Sequence, residues 1–123
     1  MAILNDLIIY QLAEELRRTV IALTADLDTR GEFRLRDQLR AASGSVVANI
    51  AEGYGRSQHG DFARFLDIAS GSLREAEEWI RDGIARGTWT AAEADPSIRL
   101  CIRMTPALAR FKRYLRNMKT PKF

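Results

Sequence analysis

Four carboxylates lie close together in the sequence and could in principle bind a metal: Glu75, Glu77, Glu78 and Asp82. Four-helix bundles that hold two iron ions use Glu-x-x-His pairs on facing helices. The only histidine of the chain, His59, has no glutamate three residues before it. Arg74 with Glu78 and Glu77 with Arg81 have the i,i+4 spacing of helical ion pairs. The sequence therefore predicts a solvated charged face here and no metal site.

Arg56 and His59 form the one pattern that invites comparison with an enzyme. Helical ribonucleases of the HEPN type use an arginine and a histidine about one helical turn or more apart, whereas only Ser57 and Gln58 intervene here. A lone histidine without an oriented partner is a weak acid–base catalyst. We therefore expect His59 to be exposed, and we predict no catalytic residue and no cofactor.

Cys101 and the segment Gly53-Tyr54-Gly55 have structural interpretations. Cys101 has no second cysteine for a disulfide or a thiolate metal site, and it falls on an apolar stripe where cysteine behaves as a small hydrophobe. No strand precedes the glycines and no Gly-Lys-Ser/Thr follows, so we expect them to end a helix. The single cysteine and the absence of a long apolar run predict a cytoplasmic protein with no membrane partner.

Positive charge is concentrated at the C-terminal end of the chain. The net charge is +3, but residues 1–96 contain 11 Lys/Arg and 16 Asp/Glu, whereas residues 97–123 contain 8 Lys/Arg and no acidic residue. On a helix whose buried stripe is centred on Leu108, four arginines project to the opposite side within about 80°: Arg99, Arg103, Arg110 and Arg113. Three further cations extend this patch: Lys112, Arg116 and Lys119.

Clustered cations attract phosphate backbones through counterion release, which favours binding to RNA or DNA. The alternative is a merely solvated cationic helix end, which the helix dipole alone would favour. No aromatic interleaving among the cations suggests base stacking, and Tyr114 by itself is weak evidence for it, so we do not predict sequence-specific recognition.

The spacing of apolar residues predicts two helices in the first half of the chain. From Ile9 to Leu27 these residues step by three and four, the period of one helical face, and Gly31 breaks the pattern. A second helix is predicted from Leu35 to Glu52. Its many Ala and Ser residues suggest that it is covered on most sides, with Gly44 making room for a neighbour.

Two further helices are predicted in the second half. Ser57 is a candidate N-cap for the third, whose apolar seam runs from Phe62 to Ile84. The fourth begins at a capping box, Thr90–Glu93, or at Asp95-Pro96, and Pro106 predicts a kink inside it. Four helices with short connections predict an all-α fold, an antiparallel up-down-up-down four-helix bundle in which residues 1–123 form one domain.

Two stretches closely resemble the signature of a known family. They are QLRAASGSVVANIAEGYGR at residues 38–56 and DFARFLDIASGSLRE at residues 61–75. Both resemble the four-helix-bundle proteins encoded in intervening sequences of bacterial 23S rRNA genes, the S23-like family, although Val47 stands where that pattern often has proline. The motif residues on this chain are Asn49, Glu52, Gly53, Gly55 and Arg56. Asn49 and Glu52 could be a buried polar pair that fixes helix packing or a surface presented across subunits, and we favour packing.

The resemblance implies self-association into a ring, usually of five subunits, and establishes no activity. More distantly, the chain is similar to accessory proteins of diversity-generating retroelements, which are thought to bind a reverse transcriptase and nucleic acid. Large apolar residues that lie off the main seams independently predict a homo-oligomer interface: Phe65, Ile68, Trp79, Ile98 and Ile102.

The leading hypothesis is a non-enzymatic, oligomeric interaction protein whose basic fourth helix binds nucleic acid without sequence preference. The alternative is an assembly or adaptor scaffold for a protein partner, such as a reverse-transcriptase-like enzyme, without direct contact to nucleic acid.

Overall fold

The computed structural model describes residues 3–118, and within this range the chain forms four α-helices and no strand. A short 3-10 turn, Leu4–Asp6, precedes them. The helices are α1 (Ile8–Leu23), α2 (Phe33–Tyr54), α3 (His59–Ala85) and α4 (Ala91–Arg116). Helix α1 contacts α2 and α4, and α3 contacts the same two helices, so the four close into a bundle. The all-α prediction is confirmed, and none of these helices is long and apolar enough to cross a membrane.

Helix α1 ends earlier than its apolar pattern suggests. It stops at Leu23, and hydrogen-bonded turns carry the chain to Gly31, whose φ of +74° favours glycine. Leu27 lies in these turns but is still fully buried. The Thr24 hydroxyl donates to the Val20 carbonyl at 2.8 Å and accepts from Arg40 Nε at 2.8 Å. A buried polar side chain therefore ties the end of α1 to α2.

Gly53 has a packing role in addition to the predicted one. It lies inside α2, which continues to Tyr54, and Gly55 caps the helix with a right-handed φ of −73°. A Cβ on Gly53 would lie 2.6 Å from Phe62 Cδ1 and 2.9 Å from Phe65 Cβ. The missing side chain thus lets α2 approach α3 closely. The prediction that the segment 53–55 ends the helix is confirmed, since α2 ends at Tyr54.

Gly44, unlike Gly53, has no neighbouring side chain close to it. No atom lies within 4 Å of the position that its Cβ would occupy, so it makes no room for a neighbour in this chain. Ala41 and Ala48, which lie on the same outer side of α2, are exposed. The prediction that α2 is covered on most sides is therefore wrong for the single chain, because only one side of this helix faces the core.

Helix α4 begins at the predicted capping box. Thr90 Oγ1 accepts a hydrogen bond from the Glu93 backbone N–H at 3.0 Å, and the Glu93 carboxylate accepts one from the Thr90 N–H at 2.8 Å. Hydrogen bonds from Thr90 lower the pKa of Glu93, because they favour its charged form. Pro96 and Pro106 both lie inside the helix, so Pro96 is not its first residue.

Candidate nucleic-acid interface

The four arginines predicted to share one face of α4 are all exposed: Arg99, Arg103, Arg110 and Arg113. The opposite side of the same helix enters the core through Cys101, Met104 and Leu108, none of which is accessible to solvent. The apolar period of α4 therefore turns its guanidinium groups outward.

Intrachain carboxylates neutralise three of the seven predicted cations. Arg99 pairs with Asp95 one turn earlier, at 2.7 Å. Lys112 and Arg116 both bind Asp67 of α3, at 3.0 and 2.5 Å. Partial burial alone would raise the pKa of Asp67, but the hydrogen bonds and charges of these two cations together lower it.

Three of the four remaining cations lie in the part of the chain that the structure describes, and the fourth does not. Among the side chains that the structure describes, which are those of residues 3–118 except Asp6, no carboxylate lies within 4.0 Å of Arg103, Arg110 or Arg113. Lys119 lies outside the described residues. We call Arg103, Arg110 and Arg113 the free arginine row, because they are both exposed and unpaired in the part of the chain that the structure describes.

An apolar groove of about 520 Å³ runs beside this row. One wall comes from the chain entering α1 and the other from α4, and the groove is lined by Leu7, Ile8, Ile9, Ala107, Arg110, Phe111 and Tyr114. The groove is not evident from the sequence, because its two walls are about a hundred residues apart in the chain. The sequence signal for it lay in α4, where Phe111 and Tyr114 are aromatic residues among cations.

His59 is buried, which contradicts the prediction that it is exposed. It is the first residue of α3 and only 5% exposed. Its Nδ1 atom is buried and has no hydrogen-bond partner among the described residues. His59 lines a second cavity, of about 60 Å³, whose walls include three residues of the larger groove: Leu7, Phe111 and Tyr114. The start of α3 thus turns the imidazole toward the inside of the bundle.

The motif residues do not form one polar site. Asn49 is half-buried, and its Nδ2 donates to the Ser45 carbonyl at 2.8 Å and to Ser45 Oγ at 3.0 Å. Glu52 is exposed and pairs with Arg56 at 3.2 Å, so Asn49 and Glu52 are not a buried pair. The Arg56 guanidinium lies 4.8 Å from the centre of the Phe65 ring. Asn49 therefore bonds within α2, Gly53 allows close packing on α3, and Glu52 and Arg56 lie at the surface.

The three predicted interface residues of α3 lie on its α2 side. A hydrogen bond of 2.8 Å between Ser45 and Ser72 places that side of α3 against α2. Phe65, Ile68 and Trp79 share the side of Ser72 by helical spacing. Ile68 is 43% exposed, and the other two are half-buried.

The two predicted interface residues of α4 lie elsewhere. Ile98 and Ile102 share the side of α4 that carries Arg116, which binds Asp67 of α3. Ile102 is 58% exposed, and Ile98 packs partly against the core. The five apolar residues therefore form two patches, one on each flank of α3. We call them the Ile68 patch (Phe65, Ile68 and Trp79) and the Ile102 patch (Ile98 and Ile102).

One of the two predicted ion pairs on the charged face of α3 forms. Arg81 pairs with Glu77 at 2.8 Å, but Arg74 and Glu78 make no ion pair among the described residues. No group of three or more His, Cys, Asp or Glu residues in residues 3–118 could hold a metal ion.

Cys101 is fully buried, and burial raises its pKa to about 12. Its thiol is thus a core group, as predicted.

Comparison with known proteins gives the family of the chain. The model of the 23S rRNA-intervening sequence protein family matches residues 5–110. No curated protein matches the sequence. The chain is similar to a crystal structure of a protein of unknown function from the S23 ribosomal protein family of Bacteroides thetaiotaomicron, with 21% identity and a TM-score of 0.79. That alignment covers 85% of this chain and 98% of the other, and at this identity it concerns the fold alone. Because the family match spans most of its length, the chain belongs to the 23S rRNA-intervening sequence protein family.

Proposed function

We propose that this protein is a non-enzymatic interaction protein that binds nucleic acid through the free arginine row on α4. The observation that carries the proposal is that Arg103, Arg110 and Arg113 are exposed and have no carboxylate partner among the side chains that the structure describes. Unpaired cations on one helical face can replace the counterions of a phosphate backbone. Pairing within the chain makes Arg99, Lys112 and Arg116 weaker contributors than the sequence alone suggests.

The arrangement of the row supports contact with several phosphates. Arg103 and Arg110 are seven residues apart, which is about 10 Å along a helix, and Arg113 lies about one turn beyond Arg110. Contacts of this kind position a protein on a phosphate backbone without reading base sequence. We therefore expect binding that depends strongly on salt and weakly on sequence.

The test is a salt titration of binding with a matched charge control. Replacing Arg103, Arg110 and Arg113 by Gln should reduce the slope of log K against log salt by about 2 to 3. The control variant replaces Arg17, Arg18 and Arg81 by Gln, which removes the same charge from α1 and α3. An equal loss in both variants, or no binding of wild-type protein at low salt, would contradict the proposal.

We further propose that the chain is an antiparallel up-down-up-down bundle that assembles into a ring, with five subunits as the family resemblance implies. Two contacts between α2 and α3 support the antiparallel arrangement: Ser45 lies against Ser72, and Gly53 lies against Phe62. The residue number therefore rises along α2 as it falls along α3. For assembly, support comes from the uncovered outer side of α2 and from exposed Ile68 and Ile102.

The two apolar patches suggest a head-to-tail contact. A ring needs two different surfaces on each subunit, so that the Ile68 patch of one copy can meet the Ile102 patch of the next. The α2 surface beside the Ile68 patch carries no charged residue between residues 41 and 51. Such a surface can be buried without the desolvation of charge.

Light scattering coupled to size exclusion tests this arrangement with two variants. Wild-type protein should elute with five times the 13.9 kDa mass of one chain. Ile68→Glu and Ile102→Glu should each be monomeric alone, and their mixture should form only heterodimers, because each retains one intact surface. Ile21→Glu, at an exposed position on α1, is the control and should leave the ring unchanged. If the mixture forms no heterodimer, the contact is not head-to-tail.

The alternative function is an adaptor that binds a protein partner, such as a reverse-transcriptase-like enzyme. The uncharged α2 surface and the Ile68 patch support it, because they offer apolar area to any partner. An adaptor should keep its partner after nuclease treatment and should lose it in Ile68→Glu. Nucleic-acid binding should then be insensitive to the free arginine row.

A further inference from the structure

We infer that the groove beside the free arginine row takes an unstacked base of single-stranded nucleic acid, with Tyr114 as the stacking surface. This inference rests on the proposed function and specifies its ligand. Arg110 belongs to both the row and the groove lining, so a phosphate held by Arg110 would lie at the groove rim. Tyr114 follows Arg110 by four residues, about 6 Å along the same side of α4. One nucleotide could therefore contact both residues.

The Tyr114 ring is exposed to solvent, and the ring of Phe111 packs against it. It is 59% exposed, the highest value among the aromatic residues that the structure describes. Phe111 meets it edge-on, with 6.0 Å between ring centres, and Phe111 in turn lies 5.4 Å from the buried ring of Phe62. An aromatic ring held in place by a core ring loses little entropy on binding, which suits it to stack on a base.

The groove also has the size and polarity that a base requires. Its volume of about 520 Å³ falls in the range of small-molecule pockets, and its walls are apolar apart from Arg110. The side chain of Ile8, on the opposite wall, is 58% exposed and could cover the second face of a bound ring. Base stacking accepts any of the four bases, which agrees with the absence of a sequence-reading pattern.

The Nδ1 atom of His59, which has no hydrogen-bond partner in the described part of the chain, is a second, independent indication of a ligand. A buried polar atom without a partner is unfavourable, and such atoms are rare in folded proteins. The cavity that holds it, of about 60 Å³, adjoins the groove through Leu7, Phe111 and Tyr114, and it is too small for a base. It does have room for about two water molecules. The edge of a base in the groove could therefore reach Nδ1 directly or through water.

A base inside a duplex cannot enter this groove, because both of its faces are stacked on neighbours. The charged row alone would bind single strands and duplexes by the same counterion release. Preference for single strands is therefore the property that the groove adds. An apolar segment of a protein partner is the competing occupant, but Arg110 at the rim and the free arginine row beside it favour an anionic chain.

The test compares the full chain with single-stranded RNA and with the duplex of the same sequence, at one salt concentration. We expect single strands to bind at least about tenfold more tightly, with quenching of a 2-aminopurine placed in the strand. Tyr114→Ala should weaken single-strand binding about tenfold and leave duplex binding unchanged, whereas Tyr114→Phe should restore it. His59→Leu should weaken single-strand binding alone, by about threefold. Phe33→Ala, which removes another exposed aromatic ring, should have no effect.

The outcomes separate this inference from the proposed function. Equal binding of single strands and duplexes, with no effect of Tyr114→Ala but a loss on replacing the free arginine row, would overturn the groove and leave the proposed function intact. Absence of binding to either nucleic acid at low salt would overturn both. A Tyr114→Ala variant that binds RNA normally but loses a protein partner would assign the groove to protein and overturn the inference.

Discussion

Lys112 of α4 donates a hydrogen bond to Asp67 of α3, with 3.0 Å between Nζ and Oδ1. Arg116 binds the other oxygen of the same carboxylate at 2.5 Å. One acidic residue therefore joins α3 to α4 and also withdraws two cations from the basic face. This arrangement links the packing of the bundle to the number of cations that remain available for the proposed binding of phosphate.

Asp67→Asn should increase affinity for nucleic acid, because it releases Lys112 and Arg116 to bind phosphates. We expect a gain of about threefold to tenfold at low salt, measured by fluorescence anisotropy, and a steeper salt dependence. Asp61→Asn is the control, because it changes the net charge equally and because Arg64, at 4.0 Å, is the one ion-pair partner of Asp61 among the described side chains. Equal gains in both variants would show that net charge alone is responsible.

The same substitution should lower stability in a way that depends on pH. The folded-state pKa of Asp67 is lowered, so its stabilising effect is present above the ordinary carboxyl pKa and is lost as pH falls through the lowered value. Because the pair is partly exposed, we expect a loss of less than about 1 kcal/mol at pH 7. Urea denaturation of wild type and Asp67→Asn should converge in acid. A difference that persists at low pH would contradict this explanation.

Gly53→Ala and Gly44→Ala should change stability in opposite directions. At Gly53 the new methyl group would overlap Phe62 and Phe65, so we expect destabilisation of about 1 to 3 kcal/mol. At Gly44 the methyl group meets no atom of the chain, and the gain in helix propensity should stabilise by about 0.5 to 1 kcal/mol. Denaturant unfolding of the monomeric Ile68→Glu background measures both without interference from assembly. Equal effects would show that the close approach of α2 and α3 is unimportant.

Cys101 should be unreactive in the folded protein. Burial raises its pKa to about 12, so the nucleophilic thiolate is scarce at neutral pH, and the sulfur is inaccessible as well. A thiol reagent such as dithionitrobenzoate should modify it only as fast as the chain unfolds. Thr105→Cys, at an exposed position one turn away, should add one rapidly reacting thiol. Rapid modification of wild-type protein would mean that this part of the core opens readily.

Thr90→Ala should destabilise the start of α4. It removes one half of the capping box and should cost about 1 kcal/mol, measured as a shift of the urea midpoint. Thr90→Ser should preserve stability, because its hydroxyl can accept the same hydrogen bond. The pKa of Glu93 is lowered in the folded state, so the contribution of the box should fade as pH falls through that lowered value. A Thr90→Ser variant as unstable as Thr90→Ala would contradict the capping role.

Local pattern was sufficient to predict the all-α fold, the capping box and the outward face of four arginines on α4. These features depend on residues within a few turns of one another, where the helical period fixes relative direction. The burial of Cys101 followed from the same period, since Met104 and Leu108 lie on its side of the helix.

Only the tertiary structure decided which cations remain free, which glycine lies in close contact with a neighbouring helix and what surrounds His59. Asp67 and Arg116 are 49 residues apart in the sequence. Gly53 and Gly44 both lie in α2, but only Gly53 has side chains of another helix close to the position that a Cβ would occupy. The groove is lined by Ile8 near one end of the chain and by Tyr114 near the other. A helical period indicates which side of a helix is buried, but it does not indicate which side chains of another helix lie there. That information arises only when the helices pack, because neutralisation, steric fit and cavity shape are properties of pairs of residues distant in sequence.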